Sequence, residues 1–266
     1  MNILVCVKQV PDTTEIKINP ETNTLIREGV PSIVNTFDGF ALEMAARIKD
    51  KQQDAKIVVV SMGPEQAKNA LKECLSVGAD KAYLVSDRAF GGSDTLATGY
   101  ILSKAIKTIE AEEGPFDLIL CGKQAIDGDT AQTGPQLAEH LDYPQLTCVI
   151  EVTSETDKIR AVRETEYGQE VWESATPVLL TITKPAFEPR YPTIKSKMAA
   201  NRAVIPVLTL NDVQADAERS GLKGSPTKVK KTYVPPRKSG GIVIQEETAK
   251  ESAGKLAALL STARLV

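Results

Sequence analysis

The sequence predicts an α/β protein whose core is a doubly wound, mainly parallel sheet, with antiparallel additions and a C-terminal extended arm plus helix. Two observations carry this expectation. Short apolar runs of the kind a parallel sheet buries on both faces alternate with longer segments whose apolar residues recur at helical spacing. Strands and helices therefore follow one another in βαβα order, which a parallel sheet accommodates with helices on both faces, and ligands then bind outside the carboxyl ends of the strands.

In chain order, residues 3–7 read as the first strand and 40–48 as an amphipathic helix. Residues 56–61 follow as a strand and 65–77 as a helix closed by Gly78. The pattern repeats with strand 82–85, helix 96–109, strand 117–121, helix 132–141 and strand 145–152. Between Lys8 and Asn35 it is interrupted: 15–18 and 24–27 flank the turn-rich NPETN, predicting a small hairpin off the sheet. Residues 158–164, 170–173 and 177–183 read as antiparallel additions that end the core. A proline-punctuated loop, 185–192, comes next, and 204–210 has extended character. Residues 223–237 have the charge and Pro-Pro content of an arm, with 228–231 as a solvated strand face. Gly240 and Gly241 separate the arm from a last helix carrying Ala249, Ala253, Leu256, Ala257 and Leu260 on one face. Lacking a core of its own, that helix packs on its own domain or on another chain.

Two loops at strand ends have the residue types of an anion cradle. In FDLILCGKQAIDGDTAQTGPQLAEHL, a buried strand breaks at Gly122 into a polar loop that opens a helix. Gly122 and Gly128 allow close backbone approach, and Asp129 with Gln132 fits a capping box that starts the helix near Thr130. Pro135 fits a first turn starting after Thr133 instead. Either start leaves N–H groups and the positive end of the helix dipole facing the loop, which suits a pyrophosphate. Gln124, Asp127, Thr130, Gln132 and Thr133 add side-chain groups for ribose, phosphate or a ring edge. On spacing alone an ordinary βα connection fits equally, since neither GxGxxG nor GxxxxGK[ST] is present. The second loop, FGGSDT, repeats the mechanics: Gly91 and Gly92 open the backbone, and Ser93 or Asp94 caps the helix after Thr95. Together the loops could hold two nucleotides or one long dinucleotide.

Composition removes several classes. The 266 residues are 42% hydrophobic and 25% charged, enough for a full core, and the net charge of −3 gives no reason to expect nucleic acid or an anionic membrane. Cys6, Cys74, Cys121 and Cys148 have no CxxC spacing and sit in apolar contexts, as buried thiols in a reducing compartment do. The single histidine, His140, near a helix end, fits a surface role favoured by the helix dipole better than metal ligation. The chain opens directly on a strand and shows no membrane span, so a cytoplasmic location is expected.

Several segments, in order, carry a family resemblance: NILVCVKQVPDT, NTFDGFALEMAARIKD, CGKQAIDGDTAQTGPQ, RETEYGQEVWESATPVLLT and EPRYPTIKSKMAANRA. The chain resembles the beta, or small, subunit of electron-transferring flavoproteins over nearly its whole length. Thr36, where the family commonly has proline, and Tyr167, which interrupts an acidic or glycine run, depart from the pattern.

The resemblance implies a Rossmann-like nucleotide-binding domain over 1–203, with a partner-recognition loop at 185–200, and a C-terminal arm and helix over 204–266 that dock on an alpha subunit carrying FAD. By position it makes Cys6, Asn35, Phe37, Asp38, Met62, Gly122, Lys123, Gln124, Ala125, Ile126, Asp127, Gly128, Asp129, Thr130, Ala131, Gln132 and Thr133 candidate nucleotide contacts. The loop from Glu188 to Ala199, with Tyr191, Ile194 and Met198, resembles the segment that docks an acyl-CoA dehydrogenase. Small subunits hold AMP in simple carriers. In bifurcating members they hold a second FAD, which accepts a hydride from NADH and divides the electrons between the alpha-subunit FAD and a low-potential acceptor such as ferredoxin or flavodoxin. The loop of Gly91, Gly92, Asp94 and Thr95, as a second cradle suited to NADH (the NAD cofactor), favours the bifurcating mode. The alternatives are a carrier with AMP and a nucleotide-sensing module without redox function.

Overall fold

The computed structural model describes residues 1–12, 31–52, 54–155, 158–230 and 240–266. Its strands are β1 Asn2–Cys6, β2 Gln9–Pro11, β3 Ser32–Val34, β4 Lys56–Met62, β5 Lys81–Val85, β6 Leu118–Gly122, β7 Gln145–Ser154, β8 Lys158–Thr165, β9 Gly168–Ala175, β10 Val178–Ile182 and β11 Val207–Leu208. Its α-helices are α1 Thr36–Lys51, α2 Lys68–Ser76, α3 Thr95–Glu113, α4 Thr133–Leu141, α5 Ile194–Arg202 and α6 Ala249–Thr262. Nine strands form one sheet in the order β11-β5-β4-β1-β6-β10-β7-β8-β9, parallel from β11 through β7 and antiparallel from β7 to β9. Strand β2 pairs antiparallel with β3 in a separate two-stranded sheet, and the expected hairpin at 15–27 lies outside the described residues.

The apolar runs predicted as strands are buried on both faces, as alternate side chains require. Ile3, Val5, Ile57, Val59, Leu118 and Leu120 pack with α1 and α2, whereas Leu4, Val58, Val60 and Ile119 pack with α3 and α4. Helix α2 is entered through a 3-10 turn, Glu65–Ala67, and ends at Gly78 with φ +139, a conformation that side chains rarely adopt. Asp94 caps α3 by accepting a hydrogen bond from Ala97 N at 3.0 Å.

Four expectations are corrected. Val178–Ile182 is not an antiparallel addition: it is wholly buried and runs parallel between β6 and β7, pairing Thr181 with Cys121 and Leu180 with Leu146. Residues 204–230 do not begin the arm, because β11 pairs parallel with β5 at the sheet edge and the first compact unit runs through Lys230. Lys228 and Lys230 are exposed but lie in no strand. His140 is half-buried with its ring edge-on to Tyr100, centroids 5.9 Å apart, and so is not a free surface group.

The second compact unit, described over 240–266, contains α6. Thr248 and Glu251 close a capping box at its start: Thr248 Oγ1 accepts from Glu251 N at 3.2 Å, and Glu251 Oε2 accepts from Thr248 N at 3.1 Å. No residue of α6 is buried. Among the described residues no helix is long and apolar enough to cross a membrane.

Candidate functional site

From β1 the chain proceeds to β4 and β5 on one side and later to β6 on the other, so the order reverses between β1 and β6. Such a switch point leaves a crevice at the carboxyl ends of the strands. There the structure has a cavity of about 320 Å³, floored by Cys6, Val60, Met62 and Cys121 and walled by Lys8, Asp38, the loop 122–133 and the residues Ser93, Asp94, Thr95 and Thr98. That volume lies at the lower end of the range usual for small-molecule sites.

The 122–133 loop is held by the first turn of α1. A Cβ at Gly122 would sit 2.7 Å from Phe37 C and 2.8 Å from Asp38 N, and closer still to Asp38 Oδ1. Glycine is thus required there by the approach of α1. Gly122 N donates to Asp38 Oδ1 at 3.1 Å, and Lys8 N donates to Asp38 Oδ2 at 2.7 Å. Asn35, fully buried, clamps the loop from beneath: its Nδ2 donates to Gln124 O at 2.9 Å and its Oδ1 accepts from Ile126 N at 3.0 Å. Lys123 N donates to Ile182 O of β10 at 2.7 Å, fixing the loop's departure. Above the loop, Lys8 Nζ pairs with Asp127 at 2.6 Å. A Cβ at Gly128 would meet nothing within 4 Å, so the backbone there is open.

The capping box at Asp129 and Gln132 is absent. Helix α4 begins at Thr133 with no side-chain cap, and Pro135 stands in its first turn. Asp129 and Ala131 are left-handed, with φ 50 and 53, and the Asp129 carboxylate instead accepts from Gln124 Nε2 at 2.7 Å. The loop therefore takes a tight turn, with Gly128 N and Asp129 N both donating to Ala125 O, and presents an uncapped helix start to the cavity.

The second loop joins the same cavity. Thr95 Oγ1 and Gln132 Oε1 lie 3.2 Å apart and tie the two loops together. Its glycines face elsewhere: a Cβ at Gly92, whose φ is +75, would meet Leu222 at 2.6 Å, and Gly221 N donates to Ser93 Oγ at 3.1 Å. Asp94 N donates to Ser225 Oγ at 2.8 Å and Thr227 N to Asp94 Oδ2 at 3.0 Å. Burial works against the ionised Asp94 carboxyl, but the N–H groups of Ala97 and Thr227 outweigh it and hold the group below its ordinary value. At Asp38 the balance is the reverse, since burial outweighs hydrogen bonds from Asn35, Lys8 and Gly122 and pushes the carboxyl up to about 7.

Of the residues singled out in the sequence, the structure gathers Cys6, Asp38, Met62, Asp94, Thr95, Gly122, Lys123, Gln124, Ala125, Gly128, Thr130, Ala131, Gln132 and Thr133 on the cavity wall. Asn35, Phe37, Gly91, Gly92, Ile126, Asp127 and Asp129 are not among its lining residues. The wall also includes Val7, Lys8, Val60, Ser93, Thr98, Leu102, Gly134 and Leu137. For Val60 the alternation along β4 two residues before Met62 was a usable signal, whereas Lys8 depends on chain reversal into β2 and left none.

A carboxyl-edge cavity at the switch point of a doubly wound sheet, between β1 and β6, defines a Rossmann-like α/β protein. Residues 22–213 match the electron transfer flavoprotein domain. The chain belongs to the electron transfer flavoprotein family and aligns with its beta subunits. It is similar to the electron transfer flavoprotein subunit beta of Megasphaera elsdenii, 55% identical over 255 residues, 95% of this chain and 94% of the relative. It is 46% identical to the caffeyl-CoA reductase-Etf complex subunit CarD of Acetobacterium woodii over 266 residues, all of both chains. It is also 46% identical to protein FixA of Azotobacter vinelandii over 243 residues, 90% of this chain and 86% of the relative.

Proposed function

We propose that the chain is the small subunit of a heterodimeric electron-transferring flavoprotein, located in the cytoplasm, and that its cavity holds the adenine nucleotide portion of an FAD. The observation that carries this reading is the uncapped start of α4 facing a cavity beside the open backbone of Gly128, because phosphate oxygens supply acceptors for such amides. Lys123 adds positive charge at the rim, the charge of Lys8 being met by Asp127, and Gln124, Thr130, Gln132 and Thr133 offer groups for ribose or ring edges. An FAD held by these residues would supply hydride acceptance from NADH and electron transfer both to the alpha-subunit flavin and to a low-potential acceptor such as ferredoxin or flavodoxin.

NADH is assigned to the Ser93–Thr95 side of the cavity. Its phosphates meet Ser93 and Thr95 there, not the glycines, while the ionised Asp94 suits a ribose hydroxyl better than a phosphate. A second reading, AMP in place of FAD, is favoured by the cavity's modest volume.

The recognition loop is assigned to an acyl-CoA dehydrogenase. Arg190 donates through Nε to Glu43 at 2.8 Å and through a terminal nitrogen to Asp50 at 2.7 Å, anchoring the loop on α1. Tyr191 and Ile194 are left 92% and 83% exposed, more than a self-contained fold has use for. The C-terminal unit with α6 is assigned to docking on the alpha subunit. Denaturing the purified complex and measuring its nucleotides by absorbance and mass spectrometry tests the reading. Two FAD per heterodimer supports it, one FAD plus AMP supports the simple carrier, and no flavin overturns both.

A further inference from the structure

The cavity floor carries two thiols on neighbouring strands. Cys6 ends β1 and Cys121 lies near the end of β6, and the two are direct partners in the parallel register. Adjacent strands run about 4.8 Å apart, within the roughly 4.4–6.8 Å Cα separation that a disulfide spans. Both side chains stand on the α3/α4 face: Cys121 belongs to that core cluster, Cys6 packs against it, and both line the cavity. Cys74 lies in the cluster on the opposite face, so it cannot compete for either. All four cysteines are free.

We propose that Cys6 and Cys121 form an oxidisable dithiol that peroxide converts to a disulfide, and that this bridge regulates the cavity. Cys6 is partly exposed to the cavity and meets the oxidant first, whereas Cys121 is buried behind it. The Cys6 sulfur attacks one oxygen of hydrogen peroxide, the O–O bond breaks, and the departing hydroxide takes up a proton as water, leaving a sulfenic acid. The Cys121 sulfur then displaces that hydroxyl. The S–S bond forms, a second water leaves, and overall two thiols and one peroxide give one disulfide and two waters. A hydrogen bond with Cys6 and burial hold the Cys121 thiol well above its ordinary range, so it does not react first and its attack depends on the Cys6 sulfenic acid being held directly beside it.

The bridge acts on the cavity because Gly122 follows Cys121 directly and has no free space toward Asp38 and Phe37. The strand spacing already fits the bridge, so the change is in the side chains: both sulfurs leave their places on the cavity floor to join, and any backbone adjustment at Cys121 passes directly to Gly122 and the loop it opens. This regulatory consequence rests on reading the cavity as the nucleotide site; the cross-link itself does not.

The test is peroxide treatment of the purified complex, followed by tryptic peptide mapping and nucleotide measurement. The expected result is a link between the peptides Met1–Lys8 and Thr108–Lys123, with loss of nucleotide that a thiol reductant reverses. A Cys121→Ser chain gives no link and leaves a Cys6 sulfenic acid that dimedone traps. Free thiols, or separate over-oxidation of the two residues in the wild-type complex, overturn the dithiol. A reversible link without nucleotide loss overturns the regulation. Absence of nucleotide before oxidation overturns the cavity reading instead and leaves the peptide map to decide the dithiol.

Discussion

Asn35→Ala isolates the contribution of the clamp beneath the 122–133 loop. The asparagine is fully buried and makes one bond each way, donating to Gln124 O and accepting from Ile126 N. Each bond contributes about 1 kcal/mol net, but deletion of the side chain also strands a carbonyl and an N–H, and a stranded buried group costs about 1–3 kcal/mol. Ile126 is itself 39% exposed, so water reaches part of the vacated site and the lower end applies, about 2 kcal/mol. That energy acts on the order of the loop more than on the sheet below it. If bound nucleotide must restore the order, 2 kcal/mol corresponds to roughly 30-fold weaker binding. Hydrogen exchange at the Ile126 amide and equilibrium dialysis with AMP and FAD read the two effects separately. Unchanged exchange at Ile126 together with unchanged affinity would refute the clamp.

Three further outcomes follow from the same geometry. Asp38 has a folded-state pKa raised to about 7 from 3.8, so its stabilising contribution is complete at low pH and is lost as pH rises through 7. Relative to Asp38→Asn, the wild type should gain stability as pH falls from about 7 to about 4, by at most ~1.4 kcal/mol per unit, and parallel melting curves would count against the shift. Gly122→Ala should cost about 1–3 kcal/mol through overpacking against Phe37 and Asp38, measured by denaturant unfolding. Glu43→Gln removes the carboxylate that receives Arg190 N and Nε and Arg47 Nε, so trypsin should cleave at Arg190 faster while the sheet keeps its stability to within about 1–3 kcal/mol.

What could be read from the sequence divides along the range of the interactions involved. Strands β1, β4, β5 and β6 declare themselves through runs such as Val58, Val59 and Val60, because burial on both faces is a local compositional demand. The Asp94 cap and the Gly78 helix stop are equally local, and both stand. Val178–Ile182 has the composition of a buried strand, but nothing within it specifies β6 and β7 as its neighbours. The Asp129–Gln132 spacing satisfies a capping box, yet Gln124 takes the carboxylate and the backbone turns left-handed. Gly92 was legible as a place needing glycine; its reason, Leu222, lies far along the chain. Lys8 and Asn35 owe their places to the chain reversal around β2 and β3, which carries no residue signature of a binding site.

The position of β10 in the sheet has a consequence for how the molecule is made. Strand β6 emerges with its partner β1 already synthesised, but its other edge waits for residues 178–182, which appear only after β7, β8 and β9. Until then the middle of the sheet presents an open hydrogen-bonding edge, the kind of surface on which nascent chains stick to one another. The bond from Lys123 N to Ile182 O belongs to that late event, so the loop beside the cavity lacks one of its moorings until β10 inserts. A ribosome-bound fragment ending before residue 178 should therefore show the 122–133 loop open to proteolysis, even with β1, β4 and β5 in place.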